Sequence, residues 1–134
     1  MKVLFVCSGN AFRSPVAEAL LKKFRPDVEV DSAGTFHSLL SAVAESAREY
    51  LAREDAERYL KKTPESLDGK PLESYDLIVV MEQRHKNVVL SRCPECASKT
   101  VVWNIEDPYF LPSGYAEKVF NQIRQKVKEL ADSL

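Results

Sequence analysis

The sequence predicts an α/β protein of one domain spanning residues 1–134: a three-layer α/β/α arrangement with helices on both faces of a four-stranded parallel sheet. Three observations predict it. Short apolar runs rich in β-branched residues alternate along the chain with amphipathic helical segments, the order expected of a parallel sheet joined by right-handed crossovers. The length of 134 residues suits a single hydrophobic core. Apolar residues at 45% are enough to fill that core, while charged residues at 29% keep the surface wetted.

Each element follows in order. Val3 to Val6 is a short apolar run, as expected for a buried strand. Ser14-Pro15 then starts a helix, with Ser as cap and Pro at the first helical position. Val16, Ala17, Leu20, Leu21 and Phe24 mark its buried face, and Pro26 stops it. Val28 to Asp31 alternates like a second strand, followed by a loop at Ser32-Ala33-Gly34-Thr35. Residues 42–62 read as one long helix or a broken pair, with the apolar stripe shifting near Arg53-Glu54-Asp55. Thr63 to Leu72 is a connection. Tyr75 to Met81 is the clearest buried strand, residues 82–91 a short helix, and residues 100–103 a fourth strand. Asp107 to Pro112 is a loop, and from Ser113 onward Ala116, Val119, Phe120, Ile123, Val127 and Leu130 mark an amphipathic final helix. The expected strand order is 2-1-3-4, the flavodoxin-like arrangement, in which ligands bind at the carboxyl ends of the strands.

Composition excludes several classes. A formal net charge of −1 argues against a general nucleic-acid binder. No apolar stretch approaches the roughly 18 residues of a membrane span, and the run before Cys7 is too short for a signal-peptide core. A cytoplasmic protein with no membrane or nucleic-acid partner is expected. Three cysteines, with Cys7 far from Cys93 and Cys96, do not make a secreted disulfide framework.

The segment Cys7-Ser8-Gly9-Asn10-Ala11-Phe12-Arg13-Ser14 leaves the first strand and enters the first helix. Backbone N–H groups in such a loop converge on one point and form an anion cradle, aided by the helix dipole. Gly9 and Asn10 are residue types that tolerate left-handed backbone. Arg13 can grip two oxygens of a phosphate, and Cys7 sits where a positive field favours the reactive thiolate. The bland alternative is a core Cys, a helical Arg and a chance spacing. The strand before, the Gly-Asn within and the Ser-Pro after weigh against it. The Gly-Lys-Ser/Thr of a Walker-type loop is absent.

Val6 to Pro15 resembles the signature of the low-molecular-weight protein tyrosine phosphatase family. Ser32 to Thr35, the strand Asp76 to Met81, and Asp107-Pro108-Tyr109 fall in the family's order. The resemblance implies a cysteine-dependent phosphomonoester hydrolase without cofactor or metal. Cys7 would be the nucleophile and Arg13 the phosphate clamp. Ser8, Gly9, Asn10, Ala11, Phe12 and Ser14 would line the oxyanion site. Asp107, which otherwise reads as an ordinary Asp-Pro turn former, would be the general acid and base. Tyr109 would wall the cleft beside a phosphotyrosine-containing protein or a small aryl phosphate, or else cover the core. Ser14 is expected to donate to Cys7, and Asn10 to bond Ser32.

Some residues depart from the family pattern. Phe12 stands where many members carry a second cysteine, and Ala11 matches neither the Ile or Leu of phosphotyrosine enzymes nor the Thr of phosphoarginine enzymes. Cys93 and Cys96 form a Cys-x-x-Cys pair that reads as a disulfide, a redox pair or a metal site short of ligands, with only His37 and His85 as histidines. A redox pair would fit a thioredoxin-coupled arsenate reductase. That enzyme and a phosphoarginine phosphatase are the alternative activities.

Overall fold

The computed structural model describes residues 1–36, 42–108, 112 and 114–134. The elements are β1 (Lys2–Cys7), α1 (Arg13–Phe24), β2 (Glu29–Gly34), α2 (Glu45–Arg53), β3 (Leu77–Val80), α3 (Gln83–Arg92), β4 (Thr100–Val102) and α4 (Tyr115–Ser133). Short 3-10 turns at Glu57–Tyr59, Leu72–Ser74 and Pro94–Lys99 join them. All strand pairings are parallel and the order is β2-β1-β3-β4, as the sequence predicts.

β1 is central because it is apolar on both faces. Val3, Phe5 and Cys7 pack with α1, α2 and α4. Leu4 and Val6 pack on the other side with Ile78, Val80 and Val89. Val3, Leu4, Phe5 and Val6 are fully buried, each worth about 1.5–3 kcal/mol relative to exposure. α4 buries Val119, Phe120, Ile123 and Val127 at helical spacing. Its end is tied down by Arg25, whose Nη1 donates to the carbonyls of Ala131 (2.7 Å) and Leu134 (2.6 Å).

The structure corrects several sequence boundaries. Ser32-Ala33-Gly34 is not a loop but the end of β2, in register with Phe5, Val6 and Cys7. A polar Ser32 is tolerated in this buried strand because its side chain bonds Asn10 and Glu18. Ser14 does not cap α1: the helix starts at Arg13 with no side-chain cap, and the Ser14 hydroxyl is engaged with Cys7 instead. Residues 42–62 are a broken pair rather than one helix. α2 ends at Arg53, the chain turns through Asp55 with a left-handed φ of 55°, and a 3-10 turn follows. Residue 113, the expected start of the last helix, lies outside the described residues. Among the described residues, no helix is long and apolar enough to cross a membrane.

Candidate active site

β1 delivers Cys7 to the carboxyl edge of the sheet, and α1 begins only six residues later. The loop between them is held by its neighbour β2. Thr35 N–H donates to the Cys7 carbonyl and Phe36 N–H to the Ser8 carbonyl, both at 3.0 Å. Gly34 makes this approach possible. A Cβ there would lie 2.6 Å from the Ser8 carbonyl oxygen and 3.0 Å from Asn10 N. Of Gly9 and Asn10, it is Asn10 that takes the left-handed conformation, with φ 53°.

The Cys7 side chain is almost fully buried, and its Sγ lies 2.9 Å from Ser14 Oγ. Arg13 is 1% exposed, too buried for an unpaired charge. Its Nη1 donates to Glu82 Oε2 at 2.6 Å and to the Ile105 carbonyl at 2.7 Å, and its Nη2 lies 3.5 Å from Asp107 Oδ2. The guanidinium is thus positioned from the ends of β3 and β4. Burial pushes the Glu82 carboxyl up, but hydrogen bonds from Arg84 and Arg13 outweigh it and bring the group down to about 2. Glu82 therefore stays an anion at neutral pH and holds the cation in place.

His85 supports the other side of the loop. Its Nδ1 accepts from the Glu82 backbone N–H at 3.0 Å, so the ring proton resides on Nε2. Nε2–H then donates to Ser8 Oγ at 2.9 Å. Burial, followed by the positive charge of Arg13, pushes the imidazole down to about 4. It is a neutral, fixed-tautomer donor at neutral pH.

A third group of contacts underlies the loop. Asn10 Nδ2 donates to Ser14 Oγ (2.8 Å) and Ser32 Oγ (2.9 Å). Asn10 Oδ1 accepts from Lys61 Nζ (2.9 Å) and from the Glu65 backbone N–H (2.8 Å). The Ser32 hydroxyl donates to buried Glu18.

The structure therefore brings together Cys7, Ser8, Asn10, Arg13, Ser14 and Asp107, and it makes both the Ser14–Cys7 and Asn10–Ser32 contacts. Ala11 is buried and its carbonyl accepts from Ala44 N–H. Phe12 packs against the core beside α1. Tyr109 lies outside the described residues. Cys93 and Cys96 are bonded to each other and buried, leaving Cys7 as the free cysteine. The pair sits past the far end of α3, whose ten residues span about 15 Å from Glu82. Glu18, Gly34, Lys61, Glu82 and His85 were not legible as site residues. His85 is 77 positions from Ser8, so nearness in sequence said nothing. Its only available signal was a position directly after the third strand, on the edge where Cys7 lies.

Known proteins share the fold and a substantial part of the sequence. A family model described as low molecular weight phosphotyrosine protein phosphatase matches residues 2–134. The Salmonella typhi low molecular weight protein-tyrosine-phosphatase Wzb is 32% identical, over 99% of this chain and 93% of its own length. A protein-arginine-phosphatase of Geobacillus stearothermophilus is 31% identical, over 99% of this chain and 93% of its own. The structure of Vibrio vulnificus Wzb in complex with benzylphosphonate superposes with a TM-score of 0.89 at 28% identity, covering 99% of this chain and 98% of that one. The chain belongs to the low molecular weight phosphotyrosine protein phosphatase family.

Proposed function

We propose that this protein hydrolyses phosphotyrosine, and aryl phosphate monoesters generally, through a phosphocysteine on Cys7. The observation that carries the reading is the convergence of Cys7, Arg13 and Asp107 at one sheet edge, with Arg13 Nη2 3.5 Å from Asp107 Oδ2. The Cys7 thiolate attacks phosphorus as the bond to the leaving oxygen breaks, and Asp107 gives that oxygen its proton. Water then attacks the phosphocysteine, Asp107 takes its proton, and the thiolate is released with inorganic phosphate. Both Arg13 Nη1 bonds go to the protein. The clamp on the transferring oxygens is therefore the Nε and Nη2 edge, together with the loop amides. Ser8, Gly9, Ala11 and Phe12 contribute the rest of the oxyanion site.

The alternatives are weighed by the same chemistry. Arsenate reduction coupled to thioredoxin would pass oxidation from Cys7 to a second thiol. Cys93 and Cys96 are already joined to each other, past the far end of α3 from Glu82. Phosphoarginine is the closer rival, since a relative named for it is as similar as those named for tyrosine. The test assays one preparation with a phosphotyrosine peptide, a phosphoarginine peptide, and arsenate plus thioredoxin and its reductase. Phosphotyrosine turnover should dominate and vanish in Cys7→Ser. Preferred phosphoarginine turnover, or arsenate reduction that needs Cys93 or Cys96, contradicts the reading.

A further inference from the structure

Arg84 breaks a local rule. It stands in the first turn of α3, where the positive end of the helix dipole disfavours a cation and where no acidic residue is present. What holds it there is Glu82, whose Oε2 accepts from Arg84 Nη2 at 2.9 Å. The same oxygen accepts from Arg13 Nη1 at 2.6 Å. The Glu82 side chain also caps α3, accepting from the His85 backbone N–H. One carboxylate therefore serves two guanidinium groups and a helix end, and its single negative charge cannot offset both cations.

The two cations differ in access. The Arg13 side chain is 1% exposed, whereas that of Arg84 is 52% exposed. Arg84 nonetheless stands close to the chemistry. Its guanidinium is pushed above its ordinary value chiefly by the Glu82 hydrogen bond, against some desolvation, and the negative charges of Glu82, Asp107 and Cys7 add to that push. Exposed Glu106, next to Asp107 in the chain, lines a cleft against α4 with Tyr115 and Lys118. Among the described residues, the hydrogen-bond partner of Arg84 is Glu82. A guanidinium carries five N–H donors in a planar fork, so the edge turned to solvent is free to take a carboxylate through two parallel bonds. A phosphate seated against buried Arg13 leaves the peptide that carries it outside the loop, on the side where an exposed cation can meet it.

We propose that Arg84 is a specificity-determining residue: it receives the carboxylate of an Asp or Glu beside the phosphotyrosine, so that acidic phosphopeptides are the preferred substrates. The inference rests on the phosphotyrosine reading of the site. Its test is steady-state kinetics on three phosphotyrosine peptides, identical except that Glu, Ala or Lys flanks the phosphotyrosine. Before any substitution, kcat/KM should be about three- to fivefold higher with Glu than with Ala, the size expected of an exposed ion pair. The gain should lie in KM rather than kcat, since the contact is made equally in the ground and transition states. It should fade between about 0.05 and 0.5 M salt. Arg84→Gln should bring the Glu-to-Ala ratio close to one. Arg84→Lys should keep most of it, and Arg84→Glu should turn the preference toward the Lys-flanked peptide. Any disturbance that reaches Arg13 through Glu82 slows all three peptides alike and cancels in the ratio.

Equal kcat/KM for the Glu- and Ala-flanked peptides before substitution would overturn the proposal. A preference that survives both Arg84→Gln and Arg84→Glu would do so as well. Failure of the phosphotyrosine reading has a different signature: all three peptides would remain intact while a phosphoarginine peptide was hydrolysed.

Discussion

Gly34→Ala puts the geometry of the anion loop to a direct test. The added Cβ would lie 2.6 Å from the Ser8 carbonyl oxygen and 3.0 Å from both Asn10 N and the Gly9 carbonyl carbon. All three are backbone atoms of the loop, so no side chain can swing aside. Ordinary contact begins near 3.4 Å, so the loop must move away from β2 by about 0.8 Å. It cannot do so freely. Phe36 N–H holds the Ser8 carbonyl, and Leu67 N–H holds the Gly34 carbonyl, at 3.0 and 2.8 Å. A displacement near 1 Å at a catalytic loop costs on the order of 100-fold in rate. Crowding of a packed site costs about 1–3 kcal/mol in stability. The assay is p-nitrophenyl phosphate hydrolysis, with inorganic phosphate inhibition and urea denaturation alongside. The expected result is a kcat roughly two orders of magnitude down, weaker phosphate inhibition, and a protein that still folds. A kcat within about threefold of the parent would show that the loop tolerates the shift, and the positional reasoning would be wrong.

Three further outcomes are expected. His85 is held well below the ordinary histidine value of about 6.5, so the unfolded chain binds a proton that the folded chain refuses between about pH 6.5 and 4. Its contribution is intact above that window and is lost as pH falls through it. Stability should drop by about 2 kcal/mol between pH 7 and pH 5, and His85→Gln should flatten most of that drop in urea titrations. Asp107→Asn should slow poor aryl leaving groups far more than good ones; an equal loss across a leaving-group series would remove Asp107 as the acid. Replacing Cys93 and Cys96 by Ser should lower stability by about 2 kcal/mol, as expected for so short a loop, while leaving kcat within about twofold.

The fold was legible because the pattern that encodes it is local. The β-branched run at β1, the apolar stripe of α4 and the alternation of strands and helices need only neighbours in sequence to be read. The same holds for Cys7 through Arg13, where strand end, turn residues and helix start lie within one short segment. Other features failed for physical reasons. Ser32 reads as a loop residue because polar side chains favour loops. It is a strand residue because Asn10 and Glu18 satisfy it, and both are distant in sequence. Ser14 reads as a cap because Ser-Pro usually starts helices, yet its hydroxyl serves Cys7. Lys61 reads as one more charge on a helix face, and its burial arises only when β2, the anion loop and the Glu65 segment meet. Glu82 and His85 hold the site from the start of α3, a location that periodicity alone does not mark as functional.

The central claim is that Cys7 carries the phosphoryl group between the two steps. Asp107→Ala should slow release of that group more than its transfer from a good leaving group. The variant would be mixed with p-nitrophenyl phosphate, quenched in acid within its first turnovers, digested and analysed by mass spectrometry. The account predicts a phosphate adduct on the peptide containing Cys7, lost on standing and absent in Cys7→Ser. Turnover of the ester with no adduct on Cys7 under any quench time, or with the adduct on another residue, would contradict it.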